Sequence, residues 1–332
     1  MLITPKTVIT AMGRSSLKRV DDLEAYLYSK GFASRDGDAC LEYLELVQKH
    51  SLRRPKPTAR AGDVVLSLKP NALKKKCGGD RNKRAALREQ IFLAHIDAHE
   101  DENLSRAKAL LEELRRFVEK DLGVKRSRRL RRLEGMLMEA SGEFEKALGV
   151  YEEILGEHPT DQRVMKRKIA VLESRRDLRG CFEALSEYLD VFMDDVEAWE
   201  HCGKLYAKCF MHEQAIFCFE ECVCSSPSNY HHHRRVAEQL YSSGGVDNLR
   251  QASMHYAAAI DMSSGEDVRS LYGCIMTHNK LSSIKNSSGG GENNAHGLDA
   301  VKNLAAAAAE RLEQLYAVKQ GDLLHIVKST IV

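Results

Sequence analysis

The chain has 332 residues, 43% apolar and 30% charged, with a formal net charge of +2. That length suits one extended domain or two compact ones, near-neutrality makes no bulk demand for nucleic acid, and no stretch approaches the roughly 20 apolar residues that span a bilayer. Nine cysteines, odd in number and scattered through helical pattern, fit a reducing compartment and not a disulfide frame.

The first twenty residues carry Lys6, Arg14, Lys18 and Arg19 with no acid before Asp21. This is a faint presequence character, and the simpler reading is a polar terminus. Leu17 to Gly31 places Val20, Leu23, Tyr26 and Leu27 on one helical side, and Ala39 to His50 does the same with Leu41, Leu44 and Val47. Residues 1–52 are therefore predicted as divergent N-terminal helices. From Arg53 to Arg84 there are eleven Lys/Arg against two Asp, broken by Pro55, Pro57, Pro70 and Gly78-Gly79. Residues 53–82 read as a basic flexible linker, with anionic lipid heads or RNA as the alternative role. No aromatic is interleaved to stack bases, which argues against single-stranded nucleic acid.

Residues 83–281 are predicted as a repeat array. Lys83 to His99 and Asn103 to Asp121 form a degenerate first pair. In Arg128 to Asp161, Gly135, Ala147, Tyr151 and Pro159 fall two 34-residue periods before Gly203, Ala215, Phe219 and Pro227. Gln162 to Asp195 fits between them without a break. Val196 to Asn229 adds Trp199, Cys202 and Tyr206, which share one face of a first helix. Gly and Ala permit close helix crossing, the aromatic fills the groove beside them, and proline ends the second helix. This is the tetratricopeptide pattern, so the fold class is all-α: a superhelical solenoid of stacked antiparallel helix pairs. The repeat core is assigned to Gly135, Ala147, Tyr151, Pro159, Trp199, Gly203, Tyr206, Ala215, Phe219 and Pro227. A fourth unit, Tyr230 to Ser264, has a turn about three residues longer at Gly244 to Asn248. Residues 282–297 read as a flexible Gly/Ser/Asn loop. Residues 298–325, with Ala305 to Ala309, form a capping helix region, and Ile326 to Val332 a frayed end.

Chemistry is sparse. No phosphate loop, nucleophile elbow or His-Glu-x-x-His pair is present, so no catalytic residue, cofactor, small-molecule substrate or enzyme activity is expected. Cys218, Cys222 and Cys224 near His231, His232 and His233 invite a metal reading, but Cys222 falls at an inward repeat position, and packing is the preferred account.

First helices line the concave face of such arrays. Their second, fifth, ninth and twelfth positions give a partner groove of Arg129, Arg132, Met136, Arg163, Lys166, Glu173, Glu197, Glu200, Lys204, Arg234, Glu238 and Tyr241. It begins basic and turns acidic. Met136 and Ala170 stand where a chaperone-tail clamp would use asparagine, which disfavours that ligand. Lys125 to Arg132 (KRSRRLRR) suggests RNA, but most of these arginines fit the outer sides of one repeat helix.

Arg132-Leu133-Glu134-Gly135-Met136, Pro159-Thr160, Arg167-Lys168-Ile169-Ala170, Glu187-Tyr188-Leu189, Glu197-Ala198-Trp199 and Pro227-Ser228-Asn229 resemble the family of ER membrane protein complex subunit 2. So do Ala215 to Cys218 with Glu220-Glu221, and the turn Gly244-Gly245-Val246-Asp247-Asn248-Leu249 with the Leu271 to Gly273 helix. The likeness runs over about residues 103–281 and leaves out 1–82. It implies a non-catalytic scaffold bound peripherally at the cytoplasmic face of the endoplasmic reticulum. Its partners would be other subunits of a membrane-embedded insertase for tail-anchored and multi-pass proteins. A general peptide-binding adaptor and an RNA-associated repeat protein are the alternatives.

Overall fold

A computed structural model describes residues 5–32, 36–68, 80–98, 101–122, 127–288 and 295–331. Helix follows helix, with no strand among the described residues. The chain forms two compact units, residues 1–181 and 182–332.

The first unit begins with α1 (Pro5–Lys30), α2 (Gly37–Lys49) and α3 (Pro55–Ser67), followed by α4 (Arg81–Asp97) and α5 (Asp101–Leu122). The hairpins α6 (Arg128–Ala140) with α7 (Phe144–Glu157), and α8 (Gln162–Ser174) with the start of α9 (Leu178–Val191), complete it. One continuous apolar core runs from Val20 and Leu27 through Leu44, Val65, Ile91 and Leu114 to Leu133.

Helix α3 corrects the flexible-linker reading of residues 53–82. Pro55 occupies the first helical position and Pro57 the same first turn, where backbone N–H groups have no intrahelical acceptor and a missing one costs nothing. The prolines start this helix. Ala59, Ala61, Val64 and Val65 are buried, and a Cβ on Gly62 would lie 2.6 Å from the Ile91 side chain. The basic residues here are tied down as well: Arg54 reaches Asp21 and Glu24, and Arg53 reaches Asp97. The remainder of the expected linker, residues 69–79, lies outside the described residues.

The second unit takes up the chain within α9 and continues with α10 (Val196–Lys208), α11 (His212–Ser225), α12 (Tyr230–Ser243), α13 (Val246–Met262), α14 (Val268–Ser288) and α15 (Ala295–Lys319). A single 3-10 turn, Gly321–Leu323, leads into α16 (Leu324–Ile331). Phe219, Val236, Leu240, Tyr256, Leu271, Cys274 and Leu312 form its main core. Two expectations change. The loop predicted at 282–297 shrinks at both ends, because Leu281 and Ile284 pack with Leu249 and Val301 and extend α14 to Ser288. Residues 289–294 of that loop are not described. The end predicted as frayed from Ile326 is part of α16.

The 34-residue register is written into the helix ends. Asp161, Asp195 and Asn229 stand 34 apart, and each side chain accepts a backbone N–H of the helix it begins, the ordinary N-cap exchange. Gly142, Arg176, Phe210 and Gly244 are also 34 apart, and all have positive φ, the left-handed turn that ends a helix. Two of these carry side chains that rarely adopt that conformation, which hides the turn from a glycine-based reading. The next cap, Asp267, comes 38 residues after Asn229. Three of the four extra residues lie in α13, which has 17 residues where α7 and α11 have 14. The predicted long turn is thus a short one, Gly244-Gly245, followed by an extra turn of helix.

Candidate partner-binding surfaces

In the first unit, α6 presents Arg128, Arg129 and Arg132 toward Thr160, Asp161, Gln162 and Arg163 around a polar cavity of about 610 Å³. Arg129 and Arg132 both reach Glu89 on α4, the latter at 2.9 Å, and Glu89 is only 7% exposed. Arg128 lies 3.3 Å from Asp161. Arg163 is exposed. Four guanidinium groups thus face two carboxylates. Burial lowers the pKa of Arg132, Glu89 opposes that, and the charges of Arg163 and Arg129 add to it. A surplus of guanidinium around a polar cavity suits carboxylate or phosphate groups.

Of the other groove residues expected in this unit, Lys166 is exposed and Glu173 half-buried on α8. Met136 is not a groove residue. It is 8% exposed and follows Leu130 and Leu133 at three-residue steps on the face of α6 that joins the N-terminal core. Glu139 accepts hydrogen bonds from the Tyr151 hydroxyl and Arg167.

The second unit spends most of its expected contact residues internally. Glu200 pairs with Lys204 at 2.7 Å; Glu197 remains exposed. Arg234 is buried, donating to Asp267 Oδ1 at 2.7 Å, so the groove reading of this arginine is corrected. Glu238 is shared among Arg234, Arg235 and Arg269. Tyr241 lies under the Lys280 ammonium, 4.4 Å from the ring centre, and its carbonyl accepts from the same Nζ.

The repeat-core residues divide. Ala147, Tyr151, Ala215 and Phe219 are fully buried, with Gly135 against Tyr151 and Gly203 against Phe219. Pro159 and Pro227 sit exposed just beyond the C-caps of α7 and α11, where they stop the helices. Trp199 and Tyr206 are half-buried and line an open cleft with Met193 and Phe217. Tyr206 still packs against the main core of the unit, whereas Trp199 is left open because the facing positions on α9 and α11 hold Ser186, Asp190 and Gln214, too short or polar to cover its ring. An apolar residue at 217, on the outer side of α11, was the sequence signal for this cleft.

Cys218 and Cys222 are buried and Cys224 is exposed. Burial pushes the Cys222 thiol up to about 12, out of the reactive range. The histidines turn elsewhere. His233 Nε2 donates to the Pro227 carbonyl at 3.1 Å, which leaves its Nδ1 to accept from His255 Nδ1, 3.2 Å away. Burial, then the His233 charge, lowers the His255 pKa from its ordinary 6.5. A base depressed in the folded state gives stability that is complete above about pH 6.5 and is lost as pH falls through its folded value. The melting temperature is expected to fall as pH is lowered from about 7 to about 5.5, with a shallower slope in His255→Gln. Equal slopes in the two proteins would remove this pair as the cause.

The family described as an EMC2 TPR-like repeat domain matches residues 116–246. A curated relative, ER membrane protein complex subunit 2-B of Xenopus laevis, is 32% identical over 189 residues, covering 57% of this chain and 60% of its own length. ER membrane protein complex subunit 2 of Dictyostelium discoideum is 27% identical, covering 70% of this chain and 71% of its own. The chain thus spans about three fifths of the length of the first of these relatives. Among solved structures, the C-terminal part of a TPR repeat-containing protein from Cytophaga hutchinsonii is 11% identical with a TM-score of 0.48, covering 90% of this chain and 96% of that one.

Proposed function

We propose that the chain, whose residues 116–246 match the model of the ER membrane protein complex subunit 2 repeat domain, is a non-catalytic scaffold subunit of that complex. It acts on the cytoplasmic face of the endoplasmic reticulum, holding segments of membrane-spanning subunits while those subunits insert tail-anchored and multi-pass proteins. The observation that carries this reading is the coincidence of the family match with the hairpins from α6 to α12, whose caps keep one 34-residue register. No described helix is long and apolar enough to cross a membrane, so attachment is assigned to partners. Tagged chain purified from detergent-solubilised membranes is expected to bring down several multi-spanning proteins in fixed ratio. Recovery of soluble chaperones alone would reject the proposal.

The four-arginine cavity favours a second reading, an adaptor for acidic peptide segments. Arg129 and Arg132 hold Glu89 and are poor sites for a test, since reversing them exposes a buried carboxylate to like charge. Arg163→Glu with Lys166→Glu changes only exposed side chains. Under the adaptor reading it lowers partner recovery at least about tenfold without altering the melting curve; unchanged recovery places the contact elsewhere.

A further inference from the structure

The second unit contains an apolar cleft of about 580 Å³ that no groove residue expected from the sequence enters. Its walls are Phe182, Leu189, Met193, Trp199, Tyr206 and Phe217. The walls are held in place. The Trp199 indole N–H donates to the Met193 carbonyl at 2.9 Å, and its ring meets Phe217 edge-on at 5.9 Å. Phe182 and Tyr206 stack at 4.2 Å. Met193 is 69% and Phe217 55% exposed, so the cleft opens to water with large apolar side chains at its mouth. Contiguous apolar surface of this kind marks an interaction site, and fixed walls reduce the ordering cost of binding.

Charge selects the occupant. Asp190 and Glu213 are the charged residues lining the cleft, both are exposed, and no Lys or Arg lines it. We propose that this cleft receives a cytosolic juxtamembrane segment of a membrane-spanning partner. Bulky apolar side chains seat on Trp199 and Phe217, and flanking Lys or Arg lie beside Asp190 and Glu213. This rests on the scaffold-subunit reading: segments next to membrane spans on the cytoplasmic side carry an excess of Lys and Arg, the charge that the cleft lacks. The same two carboxylates repel an anionic lipid surface.

Trp199 is the one tryptophan of the chain, so its fluorescence reports on the cleft directly. The full chain is titrated with the tryptophan-free peptide Lys-Lys-Leu-Leu-Phe-Leu-Leu-Lys-Lys, and in parallel with the same peptide carrying Glu in place of Lys. The basic peptide is expected to shift the emission saturably, with a dissociation constant of about 10–100 μM, and the acidic one to bind at least about tenfold more weakly. Asp190→Asn with Glu213→Gln weakens the basic peptide about fivefold. Phe217→Glu, on an exposed side chain, abolishes the response while leaving the melting curve unchanged. Equal responses to the two peptides, a full response in Phe217→Glu, or a response only to phosphatidylserine vesicles would overturn the proposal. A failed titration with multi-spanning proteins still recovered on tagged chain rejects the cleft alone. Peptide binding without recovery of any membrane-spanning protein rejects the scaffold reading, and with it the juxtamembrane partner.

Discussion

Arg234→Ala is expected to lower the stability of the second unit by about 3–5 kcal/mol, the cost of leaving a buried charge without its partner. The Arg234 and Asp267 side chains are each only 10% exposed and lie 2.7 Å apart. Glu238 stands 3.6 Å from the same guanidinium but keeps Arg235 and Arg269 as partners, so the carboxylate stranded by the substitution is that of Asp267. Asp267 also starts α14, accepting the Ser270 N–H at 3.3 Å, so the disturbance reaches the helix N-terminus. Arg234→Lys keeps a charge but loses the planar fork, and an intermediate loss follows. Asp267→Asn in the alanine background removes one stranded charge while keeping a capping oxygen. The double variant should therefore lose clearly less than the sum of the singles. Urea unfolding curves of the wild type, the three single variants Arg234→Ala, Arg234→Lys and Asp267→Asn, and the double variant make the comparison. A loss below about 1 kcal/mol for Arg234→Ala would show that solvent reaches the pair and that Arg234 belongs to the surface after all.

Gly203→Val is the second large effect, with an expected loss of about 2–3 kcal/mol from overpacking. A Cβ at Gly203 would stand 2.8 Å from Phe219 Cε1 and 2.9 Å from Cζ, and Phe219 is 1% exposed with nowhere to move. Alanine there recovers about 1 kcal/mol of helix propensity, so Gly203→Ala should cost less. Gly149 on α7 supplies the contrast, because nothing lies within 4 Å of its would-be Cβ. Gly149→Ala should raise stability by about 0.5–1 kcal/mol. Shrinking the ring with Phe219→Leu should relieve part of the Gly203→Ala cost, so the pair couples. If both glycines respond alike, close helix approach is not what holds glycine at position 203.

The glycine–aromatic pairs were legible because they are local. Gly135 with Tyr151 and Gly203 with Phe219 lie 16 residues apart inside one hairpin, and hairpin geometry fixes which positions meet. The cap positions Asp161, Asp195 and Asn229 were equally available, since an N-cap needs only a short polar side chain before a helical run. Helix α3 was missed because Pro55 and Pro57 were weighed as breakers and not as first-turn residues. Trp199 was misplaced for a different reason. Its burial depends on Ser186, Asp190 and Gln214 of other helices, and no property of the tryptophan's own repeat reveals that they leave it uncovered.

The amino-acid sequence by itself determined the all-α repeat and its 34-residue period, because each depends on residue types at fixed spacing along the chain. Tertiary structure alone decided which first-helix side chains stay available. Arg132 is drawn to Glu89 and Arg234 to Asp267, partners 43 and 33 residues away in sequence. Met136 is covered by the N-terminal core, while Met193 and Phe217 are left open. Periodicity fixes the face of a helix on which a side chain lies. Whether that face meets water, a counter-charge or another helix depends on what packs across it, and that follows only from the assembled fold.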